Sequence, residues 1–201
     1  MTDQRDLFEM RRLEALSNTI FGVAMTLLAY DLPRAGQFAG VPGWTELFGA
    51  YRARLIALML SFIIAGLFWI SHHRRLALAP HGTRGTVFIN LLFLMSIIIL
   101  PATNSLYGAF SDSSMIVVIY GAHLTMISAL NALLWVRAVG LHARPELVSA
   151  ATGVAIFVCG TAVATVSPSA ARYVWYLAFG TPVLAYILGR RTRRAALETS
   201  R

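Results

Sequence analysis

Apolar residues in this chain fall into six long runs, separated by short segments rich in Gly, Pro, Arg and His. The runs cover residues 13–32, 51–71, 86–107, 115–136, 147–166 and 173–188. A helix needs about 20 predominantly apolar residues to cross a bilayer. Segment 33–46 between the first two runs is rich in Gly and Pro, which predicts a loop. The pattern predicts an all-α integral membrane protein with six transmembrane helices per subunit.

Composition agrees with this pattern. Hydrophobic residues make up 57% of the 201 positions and charged residues only 13%, whereas a soluble domain carries about 25% charged residues. Six spans use about 120 residues, which leaves room for short loops and none for a separate soluble domain. We therefore interpret residues 1–201 as a single six-helix membrane domain.

Orientation is predicted from the arginines, since the chain has no lysine. With the N-terminus in the cytoplasm, 13 of the 17 arginines lie on the cytoplasmic side. The positive-inside bias therefore predicts that the N- and C-termini are both cytoplasmic, as an even number of spans requires. The arginines lie at the ends of the apolar runs and do not form one soluble face, so the net charge of +8 does not indicate a nucleic-acid partner.

The first run has the outline of a signal peptide, because Arg11 and Arg12 precede it. Its far end reads Asp31-Leu32-Pro33-Arg34 and lacks a small-x-small cleavage site. We therefore expect this run to be a helix of the membrane domain.

Two different faces are predicted on the first helix. Positions i, i+3, i+4 and i+7 place four residues together: Val23, Thr26, Leu27 and Tyr30. A second face, well over 90° away, is small, with a polar residue at its cytoplasmic end: Asn18, Gly22, Met25 and Ala29. Small residues allow close helix contact in lipid, and a buried Asn needs a partner on a neighbouring helix. An apolar stripe such as the Val23 face usually indicates packing or lipid contact, and periodicity alone does not separate that from a pore lining.

Chemistry-bearing groups within or at the ends of the other runs include His72, His73, Asn90, His123 and Asn131. They are not accompanied by a thiolate or acidic ligand set, so no metal site is predicted. The runs also contain no Ser–His–Asp arrangement, carboxylate pair or phosphate-binding glycine loop. We therefore predict that the chain is not an enzyme, has no catalytic residues and requires no cofactor.

Three ordered segments resemble the bacterial relatives of the endosomal/lysosomal potassium channel family, transmembrane protein 175. In the first helix, Arg12 and Leu16-Ser17-Asn18 match that family's Arg and Phe-Ser-Asp signature, which an Ile/Leu/Thr-rich helix follows. The segment from Trp69 to His73 resembles its Trp-x-x-His-His motif. Residues 88–103 resemble its third helix. The likeness is clearest over residues 12–107.

The resemblance implies a homotetramer in the lipid bilayer whose first helices line a potassium-permeable, weakly selective cation channel of the bacterial inner membrane. No Thr-Val-Gly-Tyr-Gly filter is present. Carried over by position, the apolar constriction falls on Val23, a selectivity layer on Thr26, and further pore layers on Leu27 and Tyr30. The permeant ions would be monovalent cations, above all potassium. Asp31 is then either an acidic ring at the pore mouth or an exposed loop carboxylate.

The resemblance also implies a structural polar cluster: Arg12, Ser17, Asn18, His72, His73 and Asn90. The family Asp is Asn18 here, which can hydrogen-bond but has no charge to offset Arg12. An alternative function is a small secondary or proton-coupled transporter that uses the intramembrane residues His72, His123 and Asn131.

Overall fold

The structure is a computed structural model, and it describes residues 8–78, 81–140, 145–181, 183 and 186–187. Six α-helices lie within these residues: α1 Met10–Leu27, α2 Trp44–Leu78, α3 Arg84–Ala109, α4 Ser114–Val139, α5 Pro145–Ala164 and α6 Pro168–Tyr176. Short 3-10 turns at Leu28–Asp31 and Leu177–Gly180 extend α1 and α6. The all-α prediction is confirmed, apart from one two-residue antiparallel ladder between β1 Phe8–Glu9 and β2 His81–Gly82.

Five of the helical segments are long and apolar enough to cross a membrane: those that begin with α1, α2, α3, α4 and α5. The sixth predicted run, 173–188, begins within α6 and continues through the Leu177–Gly180 turn, but residues 182, 184–185 and 188 lie outside the described part of the chain. The chain is a multi-pass membrane protein. The side of the membrane on which each terminus lies stays a prediction.

The boundaries of α2 differ most from the sequence prediction. Helix α2 begins at Trp44 and ends at Leu78, so it is 35 residues long and includes the end of the segment predicted as a loop. Glu46 lies in its first turn, where a carboxylate interacts favourably with the positive end of the helix dipole. A 3-10 turn at Ala35–Gln37 occupies part of the remaining connection.

Helix α3 contains Pro101, which removes one backbone hydrogen bond from the helix interior. His123 on α4 contacts α3 on both sides of this proline. Its Nε2–H donates to the Ser96 carbonyl oxygen at 3.1 Å, and its Nδ1 accepts from the Thr103 hydroxyl at 2.8 Å. Both ring nitrogens of His123 therefore make hydrogen bonds. Through them α4 stabilises α3 at the proline, where α3 lacks a backbone hydrogen bond.

The core runs along the middle of the bundle, where α3 supplies Phe93, Ile97 and Leu100 with no more than 1% exposure. Towards the end at which α6 packs, Tyr107 and Tyr120 stack with ring centroids 4.6 Å apart. The Tyr120 hydroxyl lies 2.6 Å from Ser61 Oγ, which donates to Asn104 Oδ1 at 2.6 Å. The polar side chains Ser61, Asn104 and Tyr120 are thus paired between helices within the core.

Two glycines give Trp175 of α6 its place beside α4 and α5. A Cβ added at Gly160 would overlap Nε1 and Cδ1 of the Trp175 indole, and one added at Gly121 would lie 2.7 Å from its Cζ2. Trp175 is fully buried. Close packing of a large ring against glycine backbone therefore attaches α6 to the bundle.

We expect Gly160→Ala to destabilise the protein by about 1–3 kcal/mol, because the new methyl group overpacks against the Trp175 ring. The control is Gly66→Ala in α2, where an added Cβ meets nothing within 4 Å. There, the higher helix propensity of Ala is worth up to about 1 kcal/mol of stabilisation. The measurement is the thermal midpoint of the detergent-purified protein. Equal midpoints for the two variants would contradict the packing described for Trp175.

Candidate conduction surface on the first helix

Helix α1 is held in the subunit by one narrow face. Phe21, Ala24 and Leu28 are at most 3% exposed. The Phe21 ring lies 6.0 Å from Phe93 of α3 and 6.1 Å from His72 of α2, measured between centroids. At 100° per residue these positions share one side of the helix. This core face fixes the rotation of α1 about its own axis.

The four residues assigned to a pore lining lie on the other side of α1. Their face is centred roughly 140° from the core face in the helical projection. Val23 is 53% exposed, Leu27 45% and Tyr30 66%, and Thr26 is also exposed. Most of this face is therefore exposed on the subunit surface, where it is available to line a channel or to contact lipid.

The Thr26 hydroxyl is oriented by its own helix. It donates to the Val23 carbonyl oxygen at 2.7 Å, one turn back along α1. A hydroxyl has one donor and two acceptor lone pairs. Because the proton is used within the helix, the oxygen keeps its lone pairs for a cation on the exposed side.

At the outer end of this face, Tyr30 is covered by a cation that sequence reasoning missed. The Arg34 guanidinium lies 4.0 Å above the Tyr30 ring centroid, and its Nη2 is 3.4 Å from the Tyr30 carbonyl oxygen. Asp31 ends the 3-10 turn here, but its side chain lies outside the described part of the structure. A positive charge is therefore placed directly beside Tyr30, at the end of the exposed Val23 face.

The second predicted face, of small residues, is exposed at three of its four positions. Asn18, Gly22 and Ala29 are exposed, whereas Met25 is partly buried. A Cβ added at Gly22 meets nothing within 4 Å. This face is centred roughly 120° from the Val23 face. Two adjacent faces of α1 are thus largely exposed on the subunit surface.

The predicted polar cluster is divided between two places. Near the helix surface, Trp69 Nε1 donates to Asn18 Oδ1 at 2.9 Å, and His73 Nδ1 lies 3.1 Å from Glu14 Oε1. The Trp69 and His73 rings stack at 5.9 Å. These contacts join α1 to α2 at the cytoplasmic end that the sequence predicts. Asn18 does not contact His72, because Trp69 lies one turn away on α2 and takes the Asn18 oxygen.

Ser17 and Arg12 have other positions. The buried Ser17 hydroxyl donates to the Leu13 carbonyl oxygen at 2.6 Å within α1. Arg12 is exposed and makes no hydrogen bond or ion pair with the residues that the structure describes. Neither side chain therefore joins His72 and Asn90.

His72 and Asn90 instead surround a buried arginine that the sequence analysis treated as part of a basic helix end. Arg75 is 2% exposed, although it lies next to the exposed Arg74. Its Nη2 contacts His72 Nδ1 and donates to Asn90 Oδ1 at 3.0 Å, and its Nη1 donates to Asn131 Oδ1 at 3.3 Å. The spacing of three residues puts His72 and Arg75 on one helix face, but it does not distinguish a buried arginine from one at the membrane surface.

The partners of Arg75 are neutral. Its guanidinium carbon lies 5.9 Å from the Phe93 ring centroid, within cation–π distance. Among the described residues, the ion pair identified is His73–Glu14, at the surface. Asn131 extends the cluster, because its Nδ2 donates to Ser71 Oγ, which also accepts from Trp135 Nε1 at 2.8 Å. The hydrogen bonds of one charged side chain, Arg75, therefore link helices α2, α3 and α4.

Within the described ranges there is no group of three His, Cys, Asp or Glu side chains that could hold a metal ion. His123 and Asn131 hydrogen-bond to groups on neighbouring helices and His72 contacts Arg75 on its own helix, so the three side chains do not hydrogen-bond to one another. The exposed faces of α1 are therefore the main candidate functional surface of the described bundle.

Comparison with known proteins points to one family. Residues 12–101 match the family model described as the endosomal/lysosomal potassium channel TMEM175. A potassium channel from Streptomyces collinus is 35% identical over 95 residues, which is 46% of this chain and 45% of that protein. The chain thus matches less than half the length of this curated relative. The names of the family and of this relative describe a channel, in agreement with the prediction that the chain is not an enzyme.

The fold is shared more widely than the sequence. The crystal structure of a lysosomal potassium-selective channel TMEM175 homologue from Chamaesiphon minutus superimposes with a TM-score of 0.76. The superposition covers 88% of this chain and 98% of the other at 20% identity. Residues 12–101 are therefore similar in sequence to the TMEM175 family, and the described bundle has the fold of the Chamaesiphon protein.

Proposed function

We propose that this chain forms a potassium-permeable, weakly selective cation channel of the bacterial inner membrane, in which the α1 helices of four copies surround the pore. The observation that supports it best is the exposed face of Val23, Leu27 and Tyr30 on a helix whose opposite side is fixed in the core. The names of the Streptomyces and Chamaesiphon proteins, both potassium channels, add support for the permeant ion.

The second face of α1 gives the proposal a means of assembly. Gly22 and Ala29 are exposed and small, so a neighbouring helix can approach them closely. In a fourfold ring, each α1 would place this face near an adjacent subunit and the Val23 face towards the axis. The small-residue face would then contact protein, and the Val23 face would contact ions and water.

Val23 would form the constriction. A ring of valine methyl groups cannot coordinate a cation, so it acts through its width and through the cost of removing water from the ion. It also favours emptying of the neck when the pore narrows, which blocks conduction. Potassium holds its water less tightly than sodium, so the ring favours potassium modestly.

Thr26 would supply the nearest polar layer. Its hydroxyl proton is bound to the Val23 carbonyl oxygen, so the lone pairs of four threonine oxygens would face the axis. These oxygens replace part of the water that the ion loses at the adjacent valine ring. Leu27 and Tyr30 would continue the lining outwards to the mouth, where Asp31 would attract cations.

The alternative is a proton-coupled transporter with a relay through His72, His123 and Asn131. The observation that favours it is His72 Nε2, which is buried and makes no hydrogen bond within the described residues. Against it, both nitrogens of His123 are held around Pro101, and the Asn131 amide is bound to Ser71 and Arg75. A relay would have to break these contacts.

A flux measurement separates these functions. Protein reconstituted into potassium-loaded liposomes should release potassium rapidly when the membrane potential is set by an ionophore, because a channel conducts down the electrochemical gradient. Flux that saturates and moves protons in fixed proportion would support the transporter. Images of single particles from the same preparation should show four copies of the chain, with their α1 helices around the central axis. A different helix at that axis would contradict the proposed pore.

Val23→Ala should raise potassium flux severalfold and lower the preference for potassium over sodium, because a smaller side chain widens the neck and reduces dehydration. The matched control is Val158→Ala on α5, since Val158 is 48% exposed and Val23 is 53% exposed. The measurement is the ratio of potassium to sodium permeability in liposomes. Equal effects of the two substitutions would remove Val23 from the pore.

Arg34→Gln should raise cation conductance severalfold at about 10 mM salt and much less at about 1 M, since the Debye length shrinks from about 30 Å to about 3 Å. The control is Arg172→Gln, which removes a similar contact of Arg172 with the Tyr173 ring at 6.0 Å. Single-channel conductance across a salt series provides the measurement. An increase that is independent of salt would show that Arg34 acts by shape and not by charge.

A further inference from the structure

A second candidate site lies away from α1, in a groove between α2, α4, α5 and the turn that follows α6. The groove encloses about 680 Å³ of empty space, counting the part that opens to the surroundings. None of the residues that line it belongs to α1. A ligand in this groove would therefore not occupy the proposed pore lining.

The α2 wall of the groove changes from charged to apolar along its length. From the helix end inwards, its lining residues include Arg74, Ser71, Phe68, Leu67 and Ile64. Ten residues separate Arg74 from Ile64, which is about 15 Å along the helix. That distance is half of the hydrocarbon core of about 30 Å. The length of this wall therefore equals the thickness of the hydrocarbon region of one leaflet.

The α5 wall has the same order. Glu146 lies in the first turn of α5, followed along the groove by Ser149, Gly153 and Phe157. On α4, the buried Trp135 lies towards the same charged end of the groove. Charged groups at one end and apolar groups at the other end match an amphiphile whose head lies at the membrane surface.

Two opposite charges line the head end. Arg74 is exposed and Glu146 partly buried, and these side chains form no ion pair with each other in the described part of the chain. A headgroup with a phosphate and a primary ammonium carries charges complementary to both. A fatty acid would place its carboxylate beside Glu146, and a quaternary ammonium has no N–H to donate to it.

We propose that this groove binds phosphatidylethanolamine from the leaflet at the Arg74 end of α2. The lipid phosphate would accept from the Arg74 guanidinium and its ammonium would donate to the Glu146 carboxylate, both as charge-assisted hydrogen bonds. One acyl chain would lie along Leu67, Phe68 and Phe157. This site is separate from the proposed pore, so it does not rest on channel activity.

The test is native mass spectrometry of the full chain in detergent, with phosphatidylethanolamine, phosphatidylcholine and phosphatidylglycerol of identical acyl chains in equal amounts. The wild-type protein should retain phosphatidylethanolamine over phosphatidylcholine by about tenfold, the effect of one hydrogen bond to a charged group. Glu146→Gln should remove most of this preference while total phospholipid retention stays close to wild type. Arg74→Gln should lower retention of all three lipids.

The chain offers matched controls. Glu46→Gln changes the first-turn glutamate of α2, and Arg52→Gln changes an exposed arginine at the opposite end of that helix from Arg74. Both should leave the preference unchanged. Retention in proportion to the mixture would show only non-selective annular lipid and overturn the proposal, as would a preference that survives Glu146→Gln. Lipid binding seen only after removal of residues 189–201 would identify that segment as the occupant of the groove, and it would also overturn the proposal.

Discussion

The buried guanidinium of Arg75 is the constraint on which the rest of the bundle depends. In a bilayer a charged group inside the protein must find its partners on neighbouring helices. Arg75 finds them on its own helix α2 as His72, on α3 as Asn90 and on α4 as Asn131, and none of these three side chains carries a negative charge. The His72 ring then stacks on Phe93 at 5.8 Å, and Phe21 of α1 packs against both. The rotation of α1 about its axis is therefore set by its packing on the His72 and Phe93 rings, which lie beside Arg75.

This arrangement separates structural from functional chemistry. The faces of α1 that contact neither α2 nor α3 can vary with little effect on the bundle, because Phe21, Ala24 and Leu28 carry its packing within the subunit. Surface contacts of Asn18 with Trp69 and of Glu14 with His73 attach only one end of the helix. A helix held firmly on one side and exposed on two others suits a conduction path assembled from several copies.

Much of the fold could be predicted from the sequence because apolar run length and helix length are governed by the same bilayer. The predicted range 86–107 lies within α3 Arg84–Ala109, and 115–136 lies within α4 Ser114–Val139. The start of α2 at Trp44 was not predicted, since glycine and proline immediately upstream indicate a loop and the first turns are amphipathic rather than apolar. The two-residue ladder near Phe8 has no periodic signal at all.

The site could be predicted only in part. Periodicity and family resemblance together placed Val23, Thr26, Leu27 and Tyr30 on one face, and the structure shows these four side chains exposed in the subunit. The burial of Arg75 could not be predicted, because an arginine next to Arg74 at the end of an apolar run has the same sequence signature as a membrane-surface anchor. Arg34 was missed because its contact with Tyr30 depends on the 3-10 turn Leu28–Asp31, in which Tyr30 lies, and on the path of the chain that follows it.

The length of α2 also has a consequence for how ions reach the proposed pore. Its 35 residues span about 52 Å, whereas the hydrocarbon core is about 30 Å thick. Its first turns carry the largely exposed Trp44 and Phe48, and the Tyr51 hydroxyl donates to the Pro33 carbonyl oxygen just beyond α1. In a tetramer these helix ends would extend beyond the bilayer and form the wall of a vestibule at the pore entrance. Its height would be fixed by the length of a rigid helix, so residues 34–43 could change the rim without altering the transmembrane bundle.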